Sequence, residues 1–475
     1  MHRVSVFILI LLLAVHFPGL AAIPLPPQIQ SSYSQIVKAA APSVVSISTS
    51  KAINLPNSLF GNDPFFNFFF GGSPNLGGGN NGGSPSLGES PDKIFAKSLG
   101  SGVIVDPTGI VVTCGHVIQN ARKILVTLSD NREFEGEVIV RDKQNDLAAI
   151  QLKGVPPASS LPSIPLETND VEVGDFLLAI GNPFGVGQTV TSGIVSAIAR
   201  NVRGRMLIQT DAPINPGNSG GALVSMNGNL IGIPNAILSK TGASHGIGFA
   251  IPQAIIRTLL ESIPNGGDII RPWAGITVQR LTSDMAKSLN ILIPQGVLIS
   301  ALHEGSPALA AGLVTGDVIT SLNGQIISNP EEFIYRIQSV PVGQNMLVTI
   351  LRNGQIQQVT FQPIIPPAIP APNQQIIPES GDLLKGLEVA NLSPALVSKY
   401  QLPFGTPEKG VVITNVGNNI IAMRLQLNPG DIIEQINHQP VTSVEVLLTL
   451  LPNLQKEESI MIRQPDRRLV VKKNS

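Results

Sequence analysis

Short apolar runs recur along the chain from residue 31 to about residue 263, and Gly, Pro, Asn and Asp separate them. Several runs alternate apolar with polar positions, as expected of β-strands that face a core on one side. The runs that we predict as strands are VVSIST (44–49), SGVIVD (101–106), ILVTL (124–128), FEGEVIVRD (134–142), LAAIQL (147–152) and FLLAIG (176–181). Many short strands at this spacing indicate an all-β barrel or sandwich.

Two helices are predicted in this β-rich part of the chain. A short one covers residues 33–40, and a longer one covers residues 253–263. The longer segment places its apolar residues on one helical face, at Ile255, Ile256, Leu259, Leu260 and Ile263. We therefore expect this helix to pack that face against the β-rich domain.

An internal repeat follows Arg271. The stretches GLVTGDVITSLNGQII (312–327) and LQLNPGDIIEQINHQPV (425–441) share a Gly-Asp-x-Ile-x-x-x-Asn frame, and each precedes a predicted helix and a final strand. The proline-rich stretch PIIPPAIPAPNQQIIPESG (363–381) lies between them and favours an extended, semi-rigid connector. The second half of the chain is therefore predicted to hold two copies of one module.

The first 22 residues have the pattern of a cleaved secretory signal peptide. Arg3 precedes an apolar run over 4–15, and small residues follow at Gly19, Ala21 and Ala22. The alternative is a membrane anchor, but a spanning helix needs about 20 apolar residues. The sequence therefore predicts export without stable membrane insertion.

Composition excludes several kinds of site. Charged residues make up 13% of the chain and the formal net charge is −1, so we expect no nucleic-acid binding. Cys114 is the single cysteine, which rules out an internal disulfide and a Cys/His zinc site. No Gly-Lys-Ser/Thr phosphate loop occurs either. We predict chemistry that needs no metal, ATP or other cofactor.

Residues 54–91 change abruptly to Gly, Asn, Ser and Phe. The Gly, Asn and Ser portion predicts a mobile loop. Its phenylalanines form an apolar cluster that predicts a contact with another chain or a ligand, and the alternative is that they fold back on their own core. These phenylalanines are Phe60, Phe65, Phe66, Phe68, Phe69 and Phe70.

The stretch PINPGNSGGALV (213–224) sets Ser219 among small residues just before an apolar strand, as for a backbone shaped around a ligand. A nucleophilic serine needs a base and an acid that orients the base. His116 follows an apolar strand in GIVVTCGHVIQNA, whereas His245 lies in a glycine-flanked loop. We favour His116 as the base, against the ordinary reading of a lone histidine without a role.

Asp146 in QNDLAAIQL is the favoured acid because it stands just before a buried strand. The competing acids are Asp106, Asp130, Asp142 and Asp211, of which the first two read as turn residues and the last as a residue that shapes the serine loop. The backbone N–H groups of Gly217, Asn218 and Ser219 are the candidate oxyanion-hole donors. Such donors each lower the barrier by roughly 3 kcal/mol.

The stretches TDAPINPGNSGGAL, TCGHVI, NDLAAI and GNPFGVGQTVTSGIVSA resemble the Deg/HtrA family of exported serine proteases. The resemblance covers almost the whole chain after the predicted signal peptide. It implies a mainly β fold, with a chymotrypsin-like double β-barrel protease domain followed by two PDZ domains. The implied layout is signal peptide 1–22, protease domain 23–264, PDZ domain 265–364, proline-rich linker 365–380 and a second PDZ domain 381–475.

The same resemblance assigns further site residues. Segments 181–193 and 230–252 are similar to the family's activation and specificity loops, and Ile231 and Ile233 are candidates for a pocket that takes small aliphatic side chains. The segment RPWAGI predicts the carboxylate-binding loop of the first PDZ domain, at Arg271, Trp273, Ala274, Gly275 and Ile276. The chain departs from the family pattern at Cys114, Gly115, Pro213 and Pro234. We expect Cys114 to be a small buried side chain, with a thiol sensor as the alternative.

Two functions remain open from the sequence. The first is an ATP-independent periplasmic serine endoprotease that degrades unfolded or damaged exported proteins and also acts as a chaperone. The second is a catalytically latent holdase that binds unfolded clients. In either case the resemblance implies binding of unfolded polypeptides and C-terminal peptides, and a homotrimer that enlarges to a hexamer or a cage.

Overall fold

The computed structural model describes residues 32–52, 95–156, 161–182, 187–202, 205–215, 217–237, 246–289, 291, 294–378, 384–400, 402, 406–407, 409–417, 419–453, 459–464 and 467–472. The predicted signal peptide (1–22), the Phe-rich segment (54–91) and His245 lie outside these residues. No helix within the described part of the chain combines the length and the apolar character needed to cross a membrane.

Six antiparallel strands close the first barrel in the order β1-β2-β3-β6-β5-β4. They are β1 (Val44–Ala52), β2 (Phe95–Asp106), β3 (Ile110–Cys114), β4 (Lys123–Thr127), β5 (Glu133–Asp142) and β6 (Leu147–Leu152). Ile47, Ile104, Val111 and Ile150 are completely buried inside it. Each predicted strand in this region is confirmed, because alternating apolar side chains fill the barrel from successive strands.

A second closed barrel follows, in the order β10-β11-β12-β9-β8-β7. Its strands are β7 (Phe176–Gly181), β8 (Thr189–Val202), β9 (Arg205–Thr210), β10 (Ala222–Ser225), β11 (Leu230–Ile237) and β12 (Gly248–Pro252). Two closed barrels leave no sheet edge unpaired, which stabilises an all-β domain without disulfides. The fold is that of a chymotrypsin-like double barrel.

Both predicted helices of this domain are present. Helix α1 spans Ser34–Ala40, and α2 spans Gln253–Glu261. Ile255, Ile256 and Leu259 of α2 are buried, and the helix contacts β5 and β6 of the first barrel as well as β11 and β12 of the second. The apolar face that the periodicity predicted therefore packs against both barrels.

The first PDZ module is a sheet of order β13-β14-β15-β17-β18 with β16 paired to β15. Its strands are β13 (Ile276–Arg280), β14 (Val297–Leu302), β15 (Val318–Leu322), β16 (Gln325–Ile326), β17 (Met346–Arg352) and β18 (Gln355–Phe361). Its helices are α3 (Ser283–Ser288), α4 (Pro307–Ala310) and α5 (Pro330–Gln338). A Thr, Ser or Asn caps the N-terminus of each helix, at Thr282, Ser306 and Asn329.

The second PDZ module repeats this arrangement and adds an edge strand, β19, from the segment predicted as the proline-rich linker; its order is β19-β20-β21-β22-β24-β25 with β23 paired to β22. Its strands are β19 (Gln375–Ile376), β20 (Glu388–Asn391), β21 (Val411–Asn415), β22 (Ile432–Ile436), β23 (Gln439–Pro440), β24 (Ser459–Arg463) and β25 (Arg468–Lys472). Its helices are α6 (Pro394–Lys399), α7 (Ile420–Arg424) and α8 (Val444–Leu450).

The residues shared by the two repeats have a structural role. Asp317 and Asp431 are both buried, and each accepts a backbone N–H three residues upstream, from Val314 and Asn428. The shared Asn opens the turn that follows in each copy, where Asn323 and Asn437 have positive φ values of 47° and 50°. Asn tolerates this left-handed backbone better than most residues do. The repeated frame therefore fixes two tight turns.

Candidate active site

His116 lies in a 3-10 turn, Gly115–Ile118, directly after β3. Its backbone N–H donates to Asp146 Oδ1 at 2.8 Å, and its ring Nδ1 lies 2.7 Å from Asp146 Oδ2. Asp146 is an acceptor at both contacts, so the proton of the neutral ring is on Nδ1 and Nε2 is left as the basic nitrogen. The structure thus joins the predicted base to the predicted acid.

Asp146 is held in the turn before β6 with a left-handed backbone, at φ 57°. Gly115 allows its close approach, because a Cβ at Gly115 would lie 3.0 Å from Asp146 Oδ1. Burial raises the pKa of Asp146, but hydrogen bonds and nearby positive charge outweigh burial and hold this pKa below its ordinary value. The carboxylate is therefore ionised at neutral pH and stabilises a proton taken up by His116.

Ser219 lies in a loop whose backbone is fixed on several sides. Its carbonyl accepts the N–H of Ser101 at 3.0 Å, and the next residue, Gly220, donates to Pro234 O at 2.9 Å. Its own hydroxyl is buried and makes no hydrogen bond with any part of the chain that the structure describes. The expected Ser219–His116 hydrogen bond is therefore not formed. Three other buried hydroxyls of the described residues, those of Ser43, Thr49 and Thr414, share this property, so it does not by itself mark a reactive group.

Gly220 accounts for part of the glycine-rich sequence around Ser219. Its φ is +83°, and a Cβ at this position would overlap Ser101 O and Thr113 Oγ1. Only glycine allows both the backbone conformation and the contact with β2 and β3. Because Gly220 has no side chain, the serine loop packs closely against β3, the strand that leads to His116.

Of the three predicted oxyanion donors, Asn218 has to be withdrawn. Its N–H donates to Asn215 O at 3.0 Å and is not available to a substrate. The N–H groups of Gly217 and Ser219 make no hydrogen bond within the described residues, whereas those of Gly220 and Gly221 are both used. Gly217 and Ser219 remain as the two candidate donors.

Two consecutive residues of β11, Pro234 and Asn235, contact the three segments that carry Ser219, His116 and Asp146. Pro234 O accepts from Gly220 N–H beside Ser219 and from the Cys114 thiol, at 3.3 Å, two residues before His116. The next residue, Asn235, donates from Nδ2 to Asp146 Oδ2 at 2.9 Å. Three stretches that are far apart in sequence therefore meet at one point. The role of Asn235 was missed from the sequence because an amide in an apolar strand carries no motif.

The competing acids have other partners. Asp106 and Asp130 accept from Thr108 and Arg132 in turns, as predicted. Asp211 accepts from Ile194 N–H at 2.7 Å and shapes the approach to the serine loop. Asp142 is paired with Arg271, with both carboxylate oxygens 2.9 Å from Nη2.

The prediction that Ile231 and Ile233 line a substrate pocket is wrong for this structure. Ile231 is 2% exposed inside the second barrel, and Ile233 is fully buried in the core cluster that also includes first-barrel residues. Neither side chain offers surface to a substrate. Their apolar character serves barrel packing, which sequence alone does not distinguish from a pocket.

Cys114 has the expected buried position. It is fully inaccessible, and Asn235 donates to its sulfur at 3.4 Å. Burial raises the pKa of the Cys114 thiol far above its ordinary value, and the charge of Asp146 raises it further. A neutral, inaccessible thiol is a poor redox sensor.

The predicted carboxylate loop lines a cavity of about 310 Å³ together with Phe333, Ile334 and Ile337 of α5. Ala274 and Gly275 make no hydrogen bond through their N–H groups within the described residues. Trp273 pairs with Ile364, and its ring meets His303 edge-on at 5.1 Å. These residues and Ile276 line one wall of the groove.

Arg271 lines the same cavity, but its guanidinium also has a partner in the protease domain. Its guanidinium is 12% exposed and is bound to Asp142 of β5, whose side chain is 2% exposed. Asp142 also accepts from the backbone N–H and the Nδ2 of Asn145, and Arg271 Nη1 has no partner among the described residues. The residue therefore joins the first PDZ module to the protease domain.

Ser101 is a second residue that sequence reasoning missed. Its hydroxyl donates to Gly217 O at 2.5 Å and accepts from Asn182 N–H at 2.9 Å, and the residue is completely buried. It thereby connects β2 with the serine loop and with the end of β7. Its only sequence signal is a small polar residue between two glycines.

Comparison with known proteins agrees with this geometry. Residues 100–233 match the family model of the trypsin-like peptidase domain, and residues 272–362 match that of the PDZ domain. The chain is 38% identical to the periplasmic serine endoprotease DegP of Salmonella typhimurium over 92% of this chain and 90% of that protein. It is 39% identical to the periplasmic pH-dependent serine endoprotease DegQ of Escherichia coli over 77% and 78% of the two chains.

A solved structure of the HtrA-type protease AlgW with a decapeptide is 38% identical to this chain. The match covers 71% of this chain and 99% of that one, with a TM-score of 0.47.

Proposed function

Since the chain belongs to the Deg/HtrA family of serine endoproteases, we propose that it cleaves unfolded exported proteins with Ser219 as nucleophile, His116 as base and Asp146 as orienting acid. The observation that carries this assignment is the bond of 2.7 Å between His116 and Asp146, in a site that also contains the unpaired Ser219 hydroxyl. Similar relatives are named periplasmic, which supports the periplasm as the location.

The chemistry follows from these positions. Ser219 Oγ attacks the scissile carbonyl while His116 Nε2 takes its proton, and the ionised Asp146 stabilises the imidazolium that forms. The N–H groups of Gly217 and Ser219 receive the oxyanion. Return of the proton to the leaving amine gives an acyl-enzyme, which water hydrolyses by the same steps in reverse order.

Entry of a substrate requires rearrangement. Ser219 is 3% exposed, and its hydroxyl makes no hydrogen bond to His116 in this structure. Catalytic hydrogen bonds often form only in the substrate complex. We propose that an unfolded segment opens the site and brings Oγ to Nε2.

Replacement of the nucleophile tests the proposal. We expect Ser219→Ala to abolish cleavage of an unfolded protein and labelling by an organophosphonate, because both reactions form a covalent bond to Oγ. Ser129→Ala, which removes a hydroxyl from an exposed turn, is the control and keeps both reactions. Undiminished cleavage by the Ser219→Ala variant would overturn the assignment.

The unformed Ser219–His116 bond also favours a second function, that of a latent holdase. Its clients would bind without hydrolysis. The phosphonate reaction separates the two functions, since a holdase that never forms the active arrangement leaves the reagent unused. Suppression of client aggregation by the Ser219→Ala variant would show chaperone activity independent of cleavage.

The groove of the first PDZ module supports binding of C-terminal peptides. An extended peptide fits between the edge strand β13 and α5 in such modules, and its carboxylate meets free backbone N–H groups. Ala274 and Gly275 supply two such groups at the end of the cavity. The domain boundaries and the homotrimer, with a hexamer or cage beyond it, stay predictions.

A further inference from the structure

The guanidinium of Arg205 contacts the carboxylate of Asp146, the proposed acid of the triad. Arg205 Nη1 lies 3.4 Å from Asp146 Oδ2, the same oxygen that receives His116 Nδ1. The side chain of Asp146 is 14% exposed and that of Arg205 is 31% exposed, so water screens the pair only in part. The orienting role of Asp146 needs no such cation, since Asn235 already satisfies the same oxygen.

The position of Arg205 is fixed by its surroundings. It is the first residue of β9 and pairs with Val202 of β8. Its Nε donates to Gln144 O at 3.1 Å, in the turn that carries Asp146. Two contacts therefore hold the guanidinium over this turn.

The charges around the imidazole come from few groups. Asp146 from the turn before β6 is negative, Arg205 from β9 is positive, and Asn235 from β11 is neutral. The Cys114 thiol of β3 stays neutral because burial raises its pKa. Among the described residues, Arg205 is the cation that contacts Asp146.

A cation beside Asp146 weakens the attraction of this carboxylate for an imidazolium. The positive charge of Arg205 thus offsets part of the negative charge that lies beside the imidazole. The same positive charge also helps to keep Asp146 ionised, because it lowers the pKa of this carboxyl. An ionised Asp146 keeps its hydrogen bond to His116 Nδ1 as the pH falls.

We propose that Arg205 is a positioning residue that acts through Asp146 and extends the activity of the site toward acid pH. This inference rests on the proposed function of Ser219, His116 and Asp146. It concerns the pH range of the reaction and not the identity of the nucleophile.

The test is the rate of organophosphonate labelling as a function of pH, which reports the free enzyme and avoids titration of a protein substrate. We expect Arg205→Gln to move the midpoint of the acid limb upward by roughly half a pH unit, given the partial exposure of the pair. The labelling rate on the acid limb then falls about threefold, while the plateau at higher pH changes little.

Three further variants keep the test decisive. Arg205→Lys retains the charge and is expected to restore the wild-type midpoint. Arg205→Met is a second neutral variant, for use if Arg205→Gln does not fold. Arg132→Gln removes a cation that is paired with Asp130 in a turn of the first barrel, and it should leave the midpoint unchanged.

Failure of the inference is distinguishable from failure of the proposed function. If wild-type protein does not react with the reagent, the proposed function and the inference both fall. If wild-type protein reacts and the neutral variants keep its midpoint, the inference alone is overturned. A neutral variant and Arg205→Lys that shift the midpoint equally would also overturn it, because the effect would then not depend on charge.

Discussion

At the scale of single residues, the site depends on buried groups that never touch a substrate. Ser101 fixes the carbonyl of Gly217, while the N–H of Asn218 in the same peptide unit is fixed by Asn215. This peptide unit adjoins both candidate oxyanion donors. A change in the orientation of this peptide unit would move the N–H groups of Gly217 and Ser219, which make no hydrogen bond of their own within the described residues.

Removal of the Ser101 hydroxyl is expected to lower kcat with little change in KM. Ser101→Ala leaves Gly217 O and Asn182 N–H unpaired in a buried place, which costs about 1–3 kcal/mol of stability. The freed peptide unit disorders the oxyanion donors, so we expect kcat to fall about 10- to 100-fold. Steady-state kinetics on a peptide substrate measure both constants.

The control is Ser262→Ala, which also removes a buried hydroxyl that donates to a carbonyl, Leu259 O at 2.6 Å. It should lower the melting temperature without a change in kcat. Equal kcat values for the two variants would show that Ser101 contributes only to stability and not to the orientation of the oxyanion donors.

At the scale of elements, helix α5 has two working faces. Phe333 and Ile337 line the peptide groove, whereas Tyr335 packs on Ala199 and Met206 of the second barrel. Tyr335 is 2% exposed, and this burial raises its pKa to about 12. Arg336 adds an ion pair with Asp170 at 2.9 Å. Helix α5 therefore lines the peptide groove with one face and packs against the protease domain with another.

The buried pair between Arg271 and Asp142 fastens the same two units. We expect Arg271→Ala to lower the free energy of unfolding by about 3–5 kcal/mol, because Asp142 is left charged in a buried place. The double variant with Asp142→Asn should recover part of this loss. Chemical denaturation measures each value.

Arg280→Ala is the matched control, since Arg280 forms an exposed ion pair with Glu331 in the same module. Exposed pairs contribute about 0–1 kcal/mol. A loss for Arg271→Ala that does not exceed the loss for Arg280→Ala would contradict the role assigned to the buried pair.

At the scale of the whole molecule, the two PDZ modules share the cavity beside α5. Leu392, Pro394 and Val397 of the second module form a wall opposite the carboxylate loop of the first. A peptide that enters the groove meets both modules. We therefore expect peptide binding to affect the relative position of the two modules.

We expect a peptide with a free C-terminal carboxylate and apolar last residues to bind this cavity and to increase the radius of gyration, because it displaces the second module. The same peptide with an amidated C-terminus should bind at least tenfold more weakly, since a charge-assisted hydrogen bond contributes about 1.5–3 kcal/mol. Fluorescence anisotropy and small-angle X-ray scattering measure the two effects. Equal affinity of acid and amide would exclude the proposed carboxylate loop.

The strands and helices of the protease domain were predictable from sequence because their apolar periodicity is local. The segment 147–152, for example, is a strand whose first four residues are all buried. The chain has six histidines, of which two lie in the predicted signal peptide and two in the repeated modules. The choice of base was therefore limited to His116 and His245. The small residues around Ser219 indicated the candidate nucleophile. The place of Asp146 just before a predicted strand indicated the acid.

The sequence by itself determined the strand pattern, the double module and the residues with the right chemistry. Only the tertiary structure decided what those residues touch. Ser101 meets Gly217 across 116 positions, Arg271 meets Asp142 across 129, and Ile231 and Ile233 turn into the barrels. Closure of the barrel brings Ser101 of β2 to the serine loop, and packing of the first PDZ module on β5 brings Arg271 to Asp142. Contacts between segments so far apart depend on the complete fold, because a local pattern of side chains does not specify its distant partner.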